Sequence, residues 1–167
     1  VQDRLRLIVE VLEAVRNAVG PDFVVGIRIS QGKVNDFTHK WSGGEDDAIA
    51  VFGTLGKLSV DYVHTTEFEA WKPAFEEGRS LSYLASRHSA LPVVANGSLH
   101  DPEQAAGIIR RGEADMISLG RGALTHPDWP RRVHDGQSLH GFDPAILSPI
   151  ADLENAEIYR ARQIADA

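Results

Sequence analysis

Two short strings carry the residue types that grip a small anion: Val94-Ala95-Asn96-Gly97 and Ser118-Leu119-Gly120-Arg121. Each sets a glycine where a strand should give way to a loop, and in the second an arginine follows at once. Glycine lets a ligand approach the backbone closely, and the start of a following helix offers unpaired N–H groups to an anion. Gly122-Ala123-Leu124, directly after, suits the short extra helix that completes phosphate sites behind the last strands of barrel enzymes. Glycines also simply cap strands, so anion binding and plain chain reversal both stay open here.

Arg28 lies inside the apolar run Val24-Val25-Gly26-Ile27-Arg28-Ile29-Ser30, which implies burial. A buried guanidinium is costly unless an anion or an electron-rich group pairs with it. Near the C-terminal end of a parallel strand it stands where ligands bind; the other reading is an ion pair with a neighbouring carboxylate. The seven histidines (His39, His64, His88, His100, His126, His134 and His140) form no H-x-H or H-E-x-x-H cluster, which argues against a metal site. His64 reads as a hydrogen-bonded structural histidine near a strand end, and Thr65-Thr66-Glu67 beside it either touches substrate or solvates a loop. The segment from Lys33 to Gly44, with Phe37, His39 and Trp41, is a long loop of the kind that serves as lid or specificity element. Trp71 and Trp129 read as helix packing, and Glu45, Asp46 and Asp47 as favourable charges at a helix start. There is no Ser/His/Asp order, G-x-S-x-G, P-loop or G-x-G-x-x-G.

The elements that must position these residues are legible from periodicity. Leu5, Ile8, Leu12, Val15 and Val19 fall on one helix face, and Gly20-Pro21 ends that helix. Phe23 to Ile29 reads as a strand covered on both faces. Ala48, Phe52 and Leu55 mark a helix over 45–58, followed by a strand over 60–65. A helix over 80–88 turns Leu81 and Leu84 inward, and Leu91 to Ala95 is a short buried strand. Asp101-Pro102 opens the next helix, with Asp as N-cap and Pro at the first helical position; Gly112 closes it. Asp115 to Leu119 is a fourth strand, before a short helix over 127–133 and an amphipathic helix from about Ile150. Strands alternating with helices imply parallel βαβ units, either in an open doubly wound sheet or in part of a (β/α)8 barrel. A whole barrel takes about 250 residues, so four units at this length make half of one.

The 167 residues allow one domain, and 43% hydrophobic with 25% charged residues is ordinary globular composition. A formal charge of −7 disfavours nucleic acids and acidic membranes as partners. With no cysteine, disulfides, thiolate nucleophiles and iron–sulfur clusters are excluded. No stretch approaches the roughly 20 apolar residues of a membrane span, no signal peptide is visible, and the expected location is cytoplasmic. The opening Val1-Gln2-Asp3, helix-like and without an initiator Met, raises the expectation that the chain is part of something longer.

Several strings taken together resemble one family. They are the helix from Asp3 to Arg16, Val25-Gly26-Ile27-Arg28-Ile29-Ser30, the segment Pro92 to Glu103, Ala114 to Arg121, and His126-Pro127-Asp128-Trp129-Pro130. In order and spacing they resemble the Old Yellow Enzyme family, FMN-containing NAD(P)H:flavin oxidoreductases built on a (β/α)8 barrel. The resemblance implies an α/β fold, the C-terminal half of a TIM barrel with strands five to eight, as one partial domain. In it, 1–19 is the helix before strand five, 23–135 carries the strands and the FMN phosphate site, and 136–167 is a tail and helix. It implies FMN as cofactor and NADH or NADPH as hydride donor to flavin, which then reduces an activated alkene.

By the same resemblance, Arg28 is the strand-five arginine at flavin N1 and O2, where positive charge stabilises the anionic reduced ring. Asn96 and Gly97 match the strand-seven turn that holds the phosphate, and Gly120 and Arg121 the strand-eight pair that completes the grip. The family's substrate-binding His/Asn or His/His pair and its tyrosine proton donor lie upstream of Val1, so no catalytic residue is assigned; His39 and His64 are not their counterparts. The chain alone is expected to be inactive. With two edge strands and an apolar face, it should self-associate or join a missing N-terminal half-barrel. The rivals are half of another phosphate-binding barrel, an isomerase or lyase, and a non-catalytic half-barrel needing a partner. An isomerase or lyase needs an acid/base pair at strand ends, where the sequence offers Asp61, Asp115 and Glu67, the first two at strand starts.

Overall fold

The computed structural model describes residues 2–33 and 35–165. They fall into two compact units, Val1–Leu119 and Gly120–Ala167, each described by itself. In the first, α1 (Gln2–Val19), β1 (Gly26–Ser30), α2 (Gly44–Leu55), β2 (Tyr62–Thr66), α3 (Leu81–Ser89), β3 (Val93–Asn96), α4 (Pro102–Arg110) and β4 (Met116–Ser118) alternate. All four strands are parallel, in the order β1-β2-β3-β4. Right-handed crossovers that always step the same way lay every intervening helix on one face, whereas a doubly wound sheet reverses direction to cover both. Strand order therefore decides between the two folds left open by the sequence, in favour of a barrel wall.

Parallel register makes the two faces unlike. The odd-numbered strand residues Ile29, Val63, Thr65, Val93 and Ala95 are buried, in one core with Phe52, Leu55, Leu81, Leu84, Ala85 and Ile108 of the helices. Burying a side chain such as Phe52 or Leu84 contributes roughly 1.5–3 kcal/mol. The even-numbered residues of the same strands are half-buried or exposed. This corrects the expectation of a first strand covered on both faces from Phe23 onward. Phe23 and Val24 precede β1 and are 62% and 67% exposed, because an apolar run records composition but not where pairing begins. On α1, Leu5 and Leu12 are buried as expected, but Val15 and Val19 are exposed.

The helix starts follow their capping residues. Ser80 accepts from the Tyr83 N–H at the head of α3, and Asp101 accepts from the Glu103 and Gln104 N–H groups at the head of α4. Two aspartates lock the N-terminal strand ends. The Asp61 N–H donates to the Val25 carbonyl (2.7 Å) while its carboxylate accepts from the Val25 N–H (2.7 Å). Asp115 repeats this reciprocal pair on Val93, at 2.9 and 2.8 Å.

The second unit holds α5 (Arg121–Thr125), α6 (Trp129–His134), a 3-10 turn (Pro144–Leu147) and α7 (Leu153–Ala165). Among its described residues Trp129, His126, Ile146 and Ala156 are buried, together with Gly122. Among the described residues no helix is long and apolar enough to cross a membrane.

Candidate functional site

Register stacks the even-numbered side chains in rungs. Arg28, His64, Val94 and Met116 share one level; Ser30, Thr66, Asn96 and Ser118 share the next, at the C-terminal ends of the strands. The upper rung is four small polar side chains, one from each strand. Arg28, expected to be buried, is exposed on this open face. The apolar neighbours Ile27 and Ile29 point to the opposite side, as alternation requires. Its guanidinium donates to Thr66 Oγ1 at 3.0 Å, and among the described residues it forms no ion pair. The structural ion pair, one of the two readings of Arg28, finds no carboxylate partner among the described residues.

The remaining polar groups form a connected line. Thr66 donates to Asn96 Oδ1 (2.6 Å), and Asn96 Nδ2 donates to the Ser118 carbonyl (3.0 Å). His64 Nε2 lies 2.8 Å from Ser118 Oγ, so the histidine is hydrogen-bonded as expected. Partial burial, and then the nearby Arg28 charge, hold its pKa below the ordinary histidine value, which keeps the imidazole neutral beside the guanidinium. Arg28 and Asn96, singled out separately in the sequence, are thus joined through Thr66.

Gly97 follows Asn96 with φ +142°, and Ser98 also has positive φ (+53°). A Cβ at Gly97 would run into the Glu67 carbonyl group, 2.9 Å from its carbon, and lie 3.0 Å from the Ala70 nitrogen. The turn is stitched to the loop after β2 by Ala70 N–H to the Gly97 carbonyl (3.1 Å) and Ser98 Oγ to the Phe68 carbonyl (2.7 Å). Glycine at 97 is therefore already required by the close approach of a neighbouring loop.

Above the strand ends sits a hub that sequence reasoning missed. Gln31, 2% exposed, donates from Nε2 to the Ala74 carbonyl (2.9 Å) and accepts the Trp41 N–H at Oε1 (3.1 Å). Its own carbonyl meets His39 Nδ1 at 2.9 Å, and Lys40 pairs with Glu67 at 2.9 Å. The long loop after β1 is thereby tied to the loop after β2, with the Phe37 and Phe68 rings 6.3 Å apart at the surface. The one sequence signal for Gln31 is its place just past a strand end. Of the possible acid/base residues, Asp61 and Asp115 are occupied in the reciprocal pairs at the opposite strand ends, and Glu67 faces Lys40. No carboxylate pair for an isomerase or lyase is formed among them.

Gly120 and Arg121 belong to the second unit. Gly120 caps α5, its carbonyl accepting from the Ala123 and Leu124 N–H groups at 3.0 and 3.1 Å, and Arg121 is exposed in the first turn. Across residues 1–140 the sequence matches the model of the NADH:flavin oxidoreductase / NADH oxidase family. The chain belongs to that family. It is similar to the NADH oxidase of Thermoanaerobacter brockii, 28% identical over an alignment of 144 residues that covers 80% of this chain and 21% of that protein. A 12-oxophytodienoate reductase-like protein of Solanum lycopersicum is 33% identical over 146 residues, 86% of this chain and 37% of that one. The solved old yellow enzyme homologue of Zymomonas mobilis overlays with a TM-score of 0.68 at 26% identity, covering 82% of this chain and 38% of that one. The chain thus spans well under half the length of these relatives, and its four parallel βα units are part of a (β/α)8 barrel wall. The matched family is one of oxidoreductases.

Proposed function

We propose that the protein holds FMN and works in an NAD(P)H-dependent reduction of an activated alkene. The observation that supports this most is Arg28, a cation on the strand-end face held by a hydroxyl and without a carboxylate among the described residues. A guanidinium so placed fits an electron-rich ring that gains negative charge, and the polar rung beside it fits a polar ligand rather than an apolar one. When bound, FMN supplies hydride transfer between the nicotinamide and the substrate. Arg28 would provide the charge that favours the reduced ring, and the Asn96-Gly97 turn would take the phosphate; by resemblance, Gly120 and Arg121 are also phosphate residues. The family's substrate-binding His/Asn or His/His pair and tyrosine lie, by resemblance, on the N-terminal half of the family's barrel. This chain's share is then the cofactor site, and turnover needs that N-terminal half-barrel as partner.

Titration of the purified protein with FMN, followed by quenching of flavin fluorescence, tests the reading. Saturable binding that weakens in Arg121→Ala is expected. No binding with millimolar FMN would overturn the cofactor assignment, and an unchanged affinity in Arg121→Ala would remove that residue from the phosphate grip.

A further inference from the structure

We propose that Thr66 is a positioning residue for Arg28, its hydroxyl fixing the guanidinium to the Asn96 turn so that the two ends of the cofactor site are set together. The inference rests on the FMN reading above and adds a residue to it. Arg28 is a long, exposed side chain, and without a tether its rotamer entropy would spread the charge over many positions. Thr66 stands one rung higher on the adjacent strand, the diagonal position that a long side chain reaches.

The other hydroxyls of that rung are engaged elsewhere. Ser30 Oγ donates to the Gly32 carbonyl (3.0 Å), and Ser118 Oγ meets His64. The direction of the line is fixed from both ends. Arginine can only donate and the Ser118 carbonyl can only accept, so the Asn96 amide must turn Nδ2 to Ser118 and Oδ1 to Thr66. The single Thr66 proton then goes to Asn96 at 2.6 Å, which leaves the lone pairs of Oγ1 facing Arg28 at 3.0 Å. Being β-branched on a strand, Thr66 has little χ1 freedom, so the acceptor is held before any ligand arrives. Serine keeps the hydroxyl but loosens it, and valine keeps the shape but leaves both neighbours without their partner.

The test compares Thr66→Val, Thr66→Ser, Arg28→Gln and the double variant Thr66→Val/Arg28→Gln. With FMN bound, the readouts are affinity and the midpoint potential of the flavin. Thr66→Val should weaken FMN binding about tenfold and lower the potential in the same direction as Arg28→Gln. Thr66→Ser should restore most of both, and Thr66→Val should not move the potential further when Arg28 is already replaced. Without FMN, the pKa of His64 read by NMR should rise in Arg28→Gln and in Thr66→Val, and stay at the wild-type value in Thr66→Ser. An unchanged potential and an unchanged His64 titration in Thr66→Val would overturn the proposal, as would an equal potential shift with and without Arg28. Failure of the wild-type protein to bind FMN sinks the flavin reading instead, and the His64 titration then decides the role of Thr66 by itself.

Discussion

Replacing Gly97 by alanine separates the demands of the fold from those of a ligand. At φ +142° an L-residue sits in a region that glycine alone populates, which costs about 1–3 kcal/mol. The new Cβ would also press on the Glu67 carbonyl group and the Ala70 nitrogen, both backbone, so the loop after β2 must move. That movement strains Ala70 N–H to Gly97 (3.1 Å), Glu67 N–H to Asn96 (3.0 Å) and Ser98 Oγ to Phe68 (2.7 Å). Losing two of these hydrogen bonds adds roughly 1–3 kcal/mol, for a total of about 2–6 kcal/mol. Gly112→Ala is the control: its φ is +65° and nothing lies within 4 Å of the added Cβ, so only about 1–2 kcal/mol is at stake. Urea unfolding of both variants without FMN, followed by circular dichroism, gives the difference directly. If Gly97→Ala and Gly112→Ala agree within about 1 kcal/mol, the neighbouring loop does not dictate the glycine, and the argument from close approach fails.

Gln31→Leu should destabilise the protein by about 2–4 kcal/mol, because the buried Ala74 carbonyl and Trp41 N–H both lose their partner; a loss under about 1 kcal/mol in urea would contradict the hub. The Asp61 carboxyl is held below its ordinary pKa first by the Val25 N–H and then by Arg16, so the folded state binds fewer protons than the unfolded. Its stabilisation is full above the ordinary carboxylate range and vanishes as pH falls through the lower folded value. Asp61→Asn should therefore weaken the fold at neutral pH and flatten the acid limb of urea midpoints down to about pH 3; a limb as steep as wild type would refute the link. His64, kept neutral by partial burial and by Arg28, supplies stability above the ordinary histidine pKa that erodes as pH drops below it. His64→Gln should shallow that erosion, with buried His126 supplying a remainder; an unaltered slope would show that His64 titrates alike folded and unfolded.

Local signals in the sequence are legible where one residue determines its own surroundings. Asp101-Pro102 announced α4 because a cap acts within one turn, and alternating helices and strands announced parallel pairing. The start of β1 is not legible, since Phe23 and Val24 are as apolar as Ile27 and Ile29, and strand pairing rather than composition sets the boundary. Arg28 was expected inside for the same reason: hydrophobic neighbours in sequence alternate to the opposite side of a strand. The line from Arg28 through Thr66 and Asn96 to Ser118 needs the register of all four strands, which no single segment encodes. Gln31 was invisible because nothing in its local sequence marks a buried amide.

The reciprocal aspartate pairs at Asp61–Val25 and Asp115–Val93 have a consequence for how this sheet could diverge. They hold neighbouring strands in alignment from the rim opposite the polar rung. Segments joining the strands at the rung end can then be lengthened, shortened or exchanged without sliding one strand past another. Selection is free to rewrite recognition at one end while the other keeps the alignment, and grafted loops should be tolerated there before they are tolerated near Asp61 or Asp115.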